Sequence, residues 1–283
     1  MILNFLRVRQ QILCSNAPMF LVDHAQLQIL AFYEAFTNKL KTNREAAAAR
    51  NRADGTMSIN TVSKIDDLVK VNTVLISVSD KTGLEEFVPA LVSVNPEIRI
   101  LSTGGTFGRI KEILGNDADE HLTQVSDYTG QPETQGGLVK TLDFKIYLGL
   151  LTETYNTDHQ GDLRRTGALP IDMVVVNLYP FRQTVAAPDV TMERARGNID
   201  IGGPCMIRAG AKNFIRVASV VDPADYPALV KELDALEGMT TLEMRSNLAR
   251  KAFAHTASYD ADIAAYFEKC TFSEIQEAYQ QIV

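Results

Sequence analysis

Five short runs in this chain combine hydroxyls, lysines, glycines and a carboxylate at spacings suited to chemistry on a small anionic molecule. The run 77–83, SVSDKTG, brings together Ser77, Ser79, Lys81 and Thr82. The run 102–106, STGGT, supplies Ser102, Thr103, Gly104, Gly105 and Thr106. Each sits where a strand pattern hands over to a helix pattern. A helix start exposes free N–H groups and a partial positive charge. Glycine lets the backbone approach a ligand, and such concave backbone seats suit anions. Either run alone also reads as ordinary helix capping by Ser or Thr. Two of them at adjacent strand ends favour a phosphate seat.

The third run, 136–141 (GGLVKT), carries Lys140 and Thr141 in a loop ahead of an apolar helix; a lone lysine also fits a plain surface charge. The fourth, 177–181 (NLYPF), puts Asn177 and Tyr179 just past an apolar strand and before Pro180, with a turn and a packed aromatic as the alternative. The fifth, 198–204 (NIDIGGP), puts Asp200 ahead of Gly202 and Gly203, which open a helix running to Lys212. An N-capping carboxylate is the alternative there.

The elements that must position these runs read as alternating strands and helices from Thr73 onward. Strands are expected at 73–79, 98–102, 122–126, 173–178 and 217–221. Helices are expected at 83–94, 106–114, 223–236 and 241–267, with others after Lys140 and Gly203. Continuous apolar strands separated by helices imply a parallel sheet covered on both faces. Ligands then sit beyond the carboxyl ends of the strands, where the five runs lie.

Residues before Thr73 differ in character. A segment at 25–40 has amphipathic helical spacing, 43–55 is rich in Ala, Arg and Asn, and Met57 offers a second plausible start. Residues 1–72 therefore read either as an upstream stretch without a role or as a packed helical extension. Residues 73–269 form the expected domain, and 270–283 a short tail.

The formal net charge of -7 gives no general attraction to nucleic acid or an anionic membrane. Cys14, Cys205 and Cys270 are odd in number and form no CxxC pair, which argues against a disulfide framework. His24, His121, His159 and His255 lack metal-ligand spacing. No apolar run approaches ~20 residues, and no secretory signal is evident. The expectation is a soluble cytoplasmic protein without a resident metal.

Taken together, the runs resemble the cyclohydrolase domain of the bifunctional AICAR formyltransferase/IMP cyclohydrolase family. The strings SVSDKTG, STGGT, SDYTGQPE, VKTL, PIDMVVVNLYPF, NIDIGGP, AKN, VVDPADY and KAFAHTASYD follow one another in family order between Thr73 and about Phe267. The resemblance implies an α/β, methylglyoxal-synthase-like doubly wound parallel sheet with a C-terminal helical extension. It implies dehydrative closure of the ribonucleotide FAICAR to IMP in purine biosynthesis, with no cofactor. The formyltransferase domain of the family has no counterpart here, so a separate formyl-transferring enzyme is expected to supply the substrate. Oligomeric state stays open, a homodimer being one option.

The family's functional positions map onto Lys140, Asn177, Tyr179, Asp200 and Lys212. The implied roles are proton transfer at the carboxamide for Asp200 with Lys212, polarisation and protonation of the formyl oxygen by Lys140 and Tyr179, and an oxyanion contact for Asn177. Ser77, Ser79, Lys81, Thr82, Ser102, Thr103, Gly104, Gly105, Thr106, Thr141, Gly202 and Gly203 would hold phosphate and ribose. One loop departs from the family: Leu138 stands where the family has a phosphate-binding arginine, and Asp143-Phe144 where it has His-Pro. Lys145 or Arg109 would have to compensate. A non-catalytic nucleotide-binding domain, or phosphate elimination from a triose phosphate on the same fold, are the alternatives.

Overall fold

The computed structural model describes residues 61–131 and 139–282. The expectations for 25–40, 43–55, a start at Met57, and the loop positions Gly136, Gly137 and Leu138 lie outside those residues. All described residues after Thr61 belong to one unit, Val62–Val283.

Apolar runs too short for helices and rich in Val, Ile and Leu become the central strands, because both of their faces are buried. Strands β2 (Thr73–Val78), β3 (Arg99–Ser102), β4 (Leu122–Gln124), β5 (Met173–Asn177) and β6 (Ala218–Val220) form a sheet of order β4-β3-β2-β5-β6. Each neighbouring pair is parallel. Period-2 alternation divides the core in two. Val74, Ile76, Val78, Ile100, Met173 and Val175 point into one layer, covered by α1 (Leu84–Val94), α2 (Gly104–Leu114) and α10 (Tyr226–Ala235). Leu75, Leu101, Val174 and Val176 point into the other, covered by α5 (Phe144–Leu151), α9 (Gly202–Lys212) and α11 (Leu242–Lys269). The sheet is therefore doubly wound, as its apolar strands require.

Several elements lie where periodicity shows little. Four short helices are α3 (Ala118–His121), α4 (Val125–Thr129), α7 (Phe181–Val185) and α8 (Met192–Gly197). The polar α6 (Thr157–Thr166) is capped by Asn156, whose side chain accepts from the N–H groups of Asp158 and His159. The end of the chain forms α12 (Phe272–Glu277), opened by a capping box between Thr271 and Glu274.

The folded unit also starts earlier than the expected boundary at Thr73. Leu68–Lys70 forms β1 and pairs antiparallel with β7 (Met239–Thr241). Arg245, fully buried on α11, explains why this small sheet is held. Its guanidinium donates to the carbonyls of Asp66, Asp67, Phe214, Ile215 and Thr240. Those acceptors come from three separate stretches, so one side chain ties residues 66–67 to the turn after α9 and to β7. Likewise, α11 is less an appended extension than part of the core. Leu248, Ala249, Ala252, Thr256 and Tyr259 are all buried in its first two-thirds.

A second buried cation closes the amino-terminal end of the sheet. Arg216 pairs with Asp172 at 2.9 Å and also donates to the carbonyls of Thr152 and Gly149. The other Asp172 oxygen accepts from the N–H groups of Asn72 and Thr73. Burial pushes the Asp172 carboxyl up despite the arginine, which pulls the other way. All three Arg216 nitrogens and both Asp172 oxygens are hydrogen-bonded, the condition under which buried ions are tolerated.

Candidate active site

Strand order reverses between β2 and β5, so the crevice above their carboxyl ends is the topological switch point. A cleft of about 490 Å³ lies there, lined by Ser77, Ser79, Lys81, Thr103, Gly104, Gly105, Thr106, Lys140, Thr141, Asn177, Tyr179, Asp200, Gly202 and Gly203. That volume suits a nucleotide-sized ligand. Two cavities of about 590 and 580 Å³ flank the C-terminal segment. In the first the polar groups are already paired with one another: Glu193 takes both Arg196 and Tyr279. The cleft at the switch point, by contrast, gathers polar residues from all five sequence runs.

One end of the cleft gathers two lysines around a glycine turn. Gly104 takes a positive φ of 48°, turning β3 into α2, and the opening residues Gly104, Gly105 and Thr106 line the cleft. A Cβ on Gly104 would stand 3.5 Å from Lys140 Nζ, and one on Gly105 would stand 4.0 Å from Lys81 Cε. Two lysines from separate loops thus flank the glycine turn. Ser77 and Thr103 join the two loops through their hydroxyls at 3.0 Å.

The other end holds a carboxylate. Asp200 precedes α9 and accepts the Gly203 N–H at 2.9 Å. The two glycines are required by close approach. A Cβ on Gly203 would come within 2.5 Å of Asp200 Oδ2, and one on Gly202 within 2.5 Å of Thr141 Oγ1. Burial raises the Asp200 carboxyl above the ordinary aspartate value, while the N–H groups of Gly203 and Gly202 pull it down. Asp200 thus holds the start of α9 and lines the cleft with the same side chain.

Several site expectations change role. Asn177 lines the cleft but spends its Oδ1 and one of its two Nδ2 hydrogens on the backbone of 79–80. Its Oδ1 accepts from the N–H groups of Ser79 (2.7 Å) and Asp80 (2.8 Å), and its Nδ2 donates to the Asp80 carbonyl. It shapes the 79–81 loop across the switch point. Thr106 stitches the same loop, its hydroxyl accepting from the Val78 N–H and donating to the Val78 carbonyl. Thr82 spends its hydroxyl on Asp80 at 2.6 Å and does not line the cleft. Ser102 is fully buried and donates to the Ile76 carbonyl, so it closes the sheet and meets no ligand. Lys212 is exposed at the far end of α9. At 1.5 Å per residue it stands roughly 15 Å along the helix from Gly202, away from Asp200. Helix geometry, unlike sequence proximity, separates the two.

Neither suggested substitute for an arginine at position 138 is free. Arg109 pairs with Glu85 and Glu112. Lys145 donates to the Tyr128 carbonyl at 3.1 Å. Asp143 serves as the buried N-cap of α5, accepting from the Lys145 N–H, and also takes Gln131 Nε2 at 2.8 Å. Tyr259 was not singled out from sequence, although it lies within the KAFAHTASYD string; its hydroxyl accepts the Asp200 N–H at 2.8 Å.

Comparison with known proteins now bears on this geometry. Residues 83–205 match the MGS-like domain family, and residues 210–282 match the AICARFT/IMPCHase bienzyme family. A crystal structure described as that of ForH is 31% identical, with a TM-score of 0.59, covering 70% of this chain and 99% of that one. The chain belongs to the AICARFT/IMPCHase family. Its doubly wound sheet is an MGS-like fold. Membership in AICARFT/IMPCHase puts the chain among proteins of purine biosynthesis. The MGS-like match runs through the glycine turn of Gly104 to the Asp200–Gly203 helix start, the two ends of the cleft. No helix among the described residues is long and apolar enough to cross a membrane.

Proposed function

We propose that this AICARFT/IMPCHase member is an IMP cyclohydrolase, closing FAICAR to IMP with loss of water. The observation that carries the reading is the polarity of the cleft: two lysines beside a glycine-turn helix start at one end, a partly buried carboxylate at the other. A nucleotide fits this layout with its phosphate between Lys81 and Lys140 and its reacting ring toward Asp200.

The reaction needs a base, an acid and a held rotamer. The carboxamide nitrogen attacks the formyl carbon, forming the new C–N bond, and Asp200 takes the proton that nitrogen loses. Lys140 or the half-exposed Tyr179 gives a proton to the formyl oxygen as it gains charge. The C–O bond then breaks, the formamido nitrogen yields its proton, and water departs. Both hydrogens of that water therefore come, in sum, from the two nitrogens. Because both reacting groups sit on one ring, much of the rate comes from holding them in contact. Asn177 and Thr106 contribute by fixing the phosphate-side loop.

The test is to mix the purified chain with FAICAR and follow IMP by absorbance. A rate no greater than the spontaneous one overturns the reading. Methylglyoxal formed from a triose phosphate, with no IMP from FAICAR, would replace it with the phosphate-elimination alternative. Tight IMP binding without turnover would favour a nucleotide-binding role.

A further inference from the structure

We propose that Tyr259 is a positioning residue for Asp200, its single hydroxyl clamping the backbone at two points just ahead of the carboxylate so that the carboxyl group stays set in the cleft wall. The inference rests on the reading of Asp200 as the base.

Tyr259 stands on α11 and does not line the cleft. The Asp200 N–H donates to Tyr259 Oη at 2.8 Å, and the Tyr259 O–H donates to the Asn198 carbonyl at 3.3 Å. A tyrosine has one hydrogen to give, and here it goes to the backbone two residues before the one that donates to it. The hydroxyl therefore bridges the 198–200 segment, which links α8 to α9 outside regular structure. The ring is held separately, buried and edge-on to Phe181 at 6.2 Å between centroids. Removing the hydroxyl alone should leave that packing in place.

The carboxylate has a second anchor on its other side, the Gly203 N–H, and no spare room, since a Cβ on Gly203 would collide with Oδ2. Asp200 is thus clamped between the α9 start and Tyr259. The titratable groups that interact with it are Tyr147 from α5 and Tyr259 from α11; Cys205 from α9 lies against Tyr147, Asp260 and Tyr179 act on Tyr259, and Lys140 shares the cleft lining. Burial is what raises the Asp200 carboxyl. Freeing the 198–200 segment lets water reach it and should bring the carboxyl back toward the ordinary aspartate range.

The experiment uses the full chain carrying ¹³C-labelled aspartate. The Asp200 carboxyl resonance is assigned by its loss in Asp200→Asn and titrated by NMR in the parent and in Tyr259→Phe. The expected result is an Asp200 midpoint lower by about half a pH unit or more in Tyr259→Phe. With FAICAR, kcat should fall about tenfold while KM stays within about twofold, the signature of a group acting through the transition state. An unmoved Asp200 titration overturns the proposal, whatever happens to kcat. A parent chain that titrates as expected but makes no IMP would sink the cyclohydrolase reading and leave the clamp standing.

Discussion

Asp200 and Lys212 look like partners in sequence and are not in space, and that difference is testable. Asp200→Asn should lower kcat by about 10²–10⁴-fold with little change in KM, the range general bases supply. The base must be ionised to act, so kcat/KM should fall as pH drops through a midpoint above the 3.8 of an ordinary aspartate. Stability should respond with the opposite preference. A carboxyl whose folded value is raised contributes most below its unfolded value, and that contribution is lost as pH rises through the folded one. At neutral pH the Asp200→Asn chain should therefore melt no lower than the parent, and roughly 1–3 °C higher by calorimetry. Lys212→Ala should leave kcat within about twofold, because an exposed lysine a helix length away has no route to the reacting atoms. A loss of about 10²-fold in that variant would show that Lys212 reaches the reaction after all.

Loops and helix ends depend on side chains that bind their backbone. The 79–81 loop takes its shape from the Asn177 amide, which accepts two N–H groups and returns one to the Asp80 carbonyl. Asn177→Ala should raise KM for a phosphorylated ligand by about tenfold and lower kcat less, since each lost hydrogen bond is worth ~1 kcal/mol and phosphate is held alike in ground and transition states. Equal losses in kcat and KM-independent binding would mean that Asn177 meets the reacting group. At the other end of the sheet, Arg245 answers five carbonyls from three parts of the chain. Arg245→Met fills much of the volume but leaves those carbonyls buried without donors. The expected cost is at least ~3 kcal/mol, read as a drop in denaturant midpoint at unchanged slope.

The folded unit as a whole spans Val62–Val283, which sets where the chain tolerates shortening. A chain beginning at Met57 should keep the melting temperature of the parent, because it retains β1 and the Asp66 and Asp67 carbonyls. One beginning at Thr73 should melt lower by ~5 °C or more, having lost the β1–β7 pairing and two of the Arg245 acceptors. Equal melting temperatures for the two would mean that β1 adds nothing.

The sequence by itself determined the central layer. Runs such as TVLISV and MVVVN are apolar on both faces, so they had to be interior parallel strands, and the ligand had to lie past their ends. It also marked both ends of the cleft, because glycine pairs beside lysines and an aspartate signal close approach whatever surrounds them. What only the tertiary structure decided was which polar side chains are already spent. Ser102, Thr82 and Thr106 carry the same donors and acceptors as ligand-binding groups, and only their neighbours show that those atoms are taken. Lys212 falls outside the cleft because a helix converts ten residues into distance. Arg245 and Tyr259 read as a polar helix face until folding brings carbonyls and the Asp200 N–H against them. Hydrogen bonds between residues 59 and 179 positions apart leave no local pattern to read.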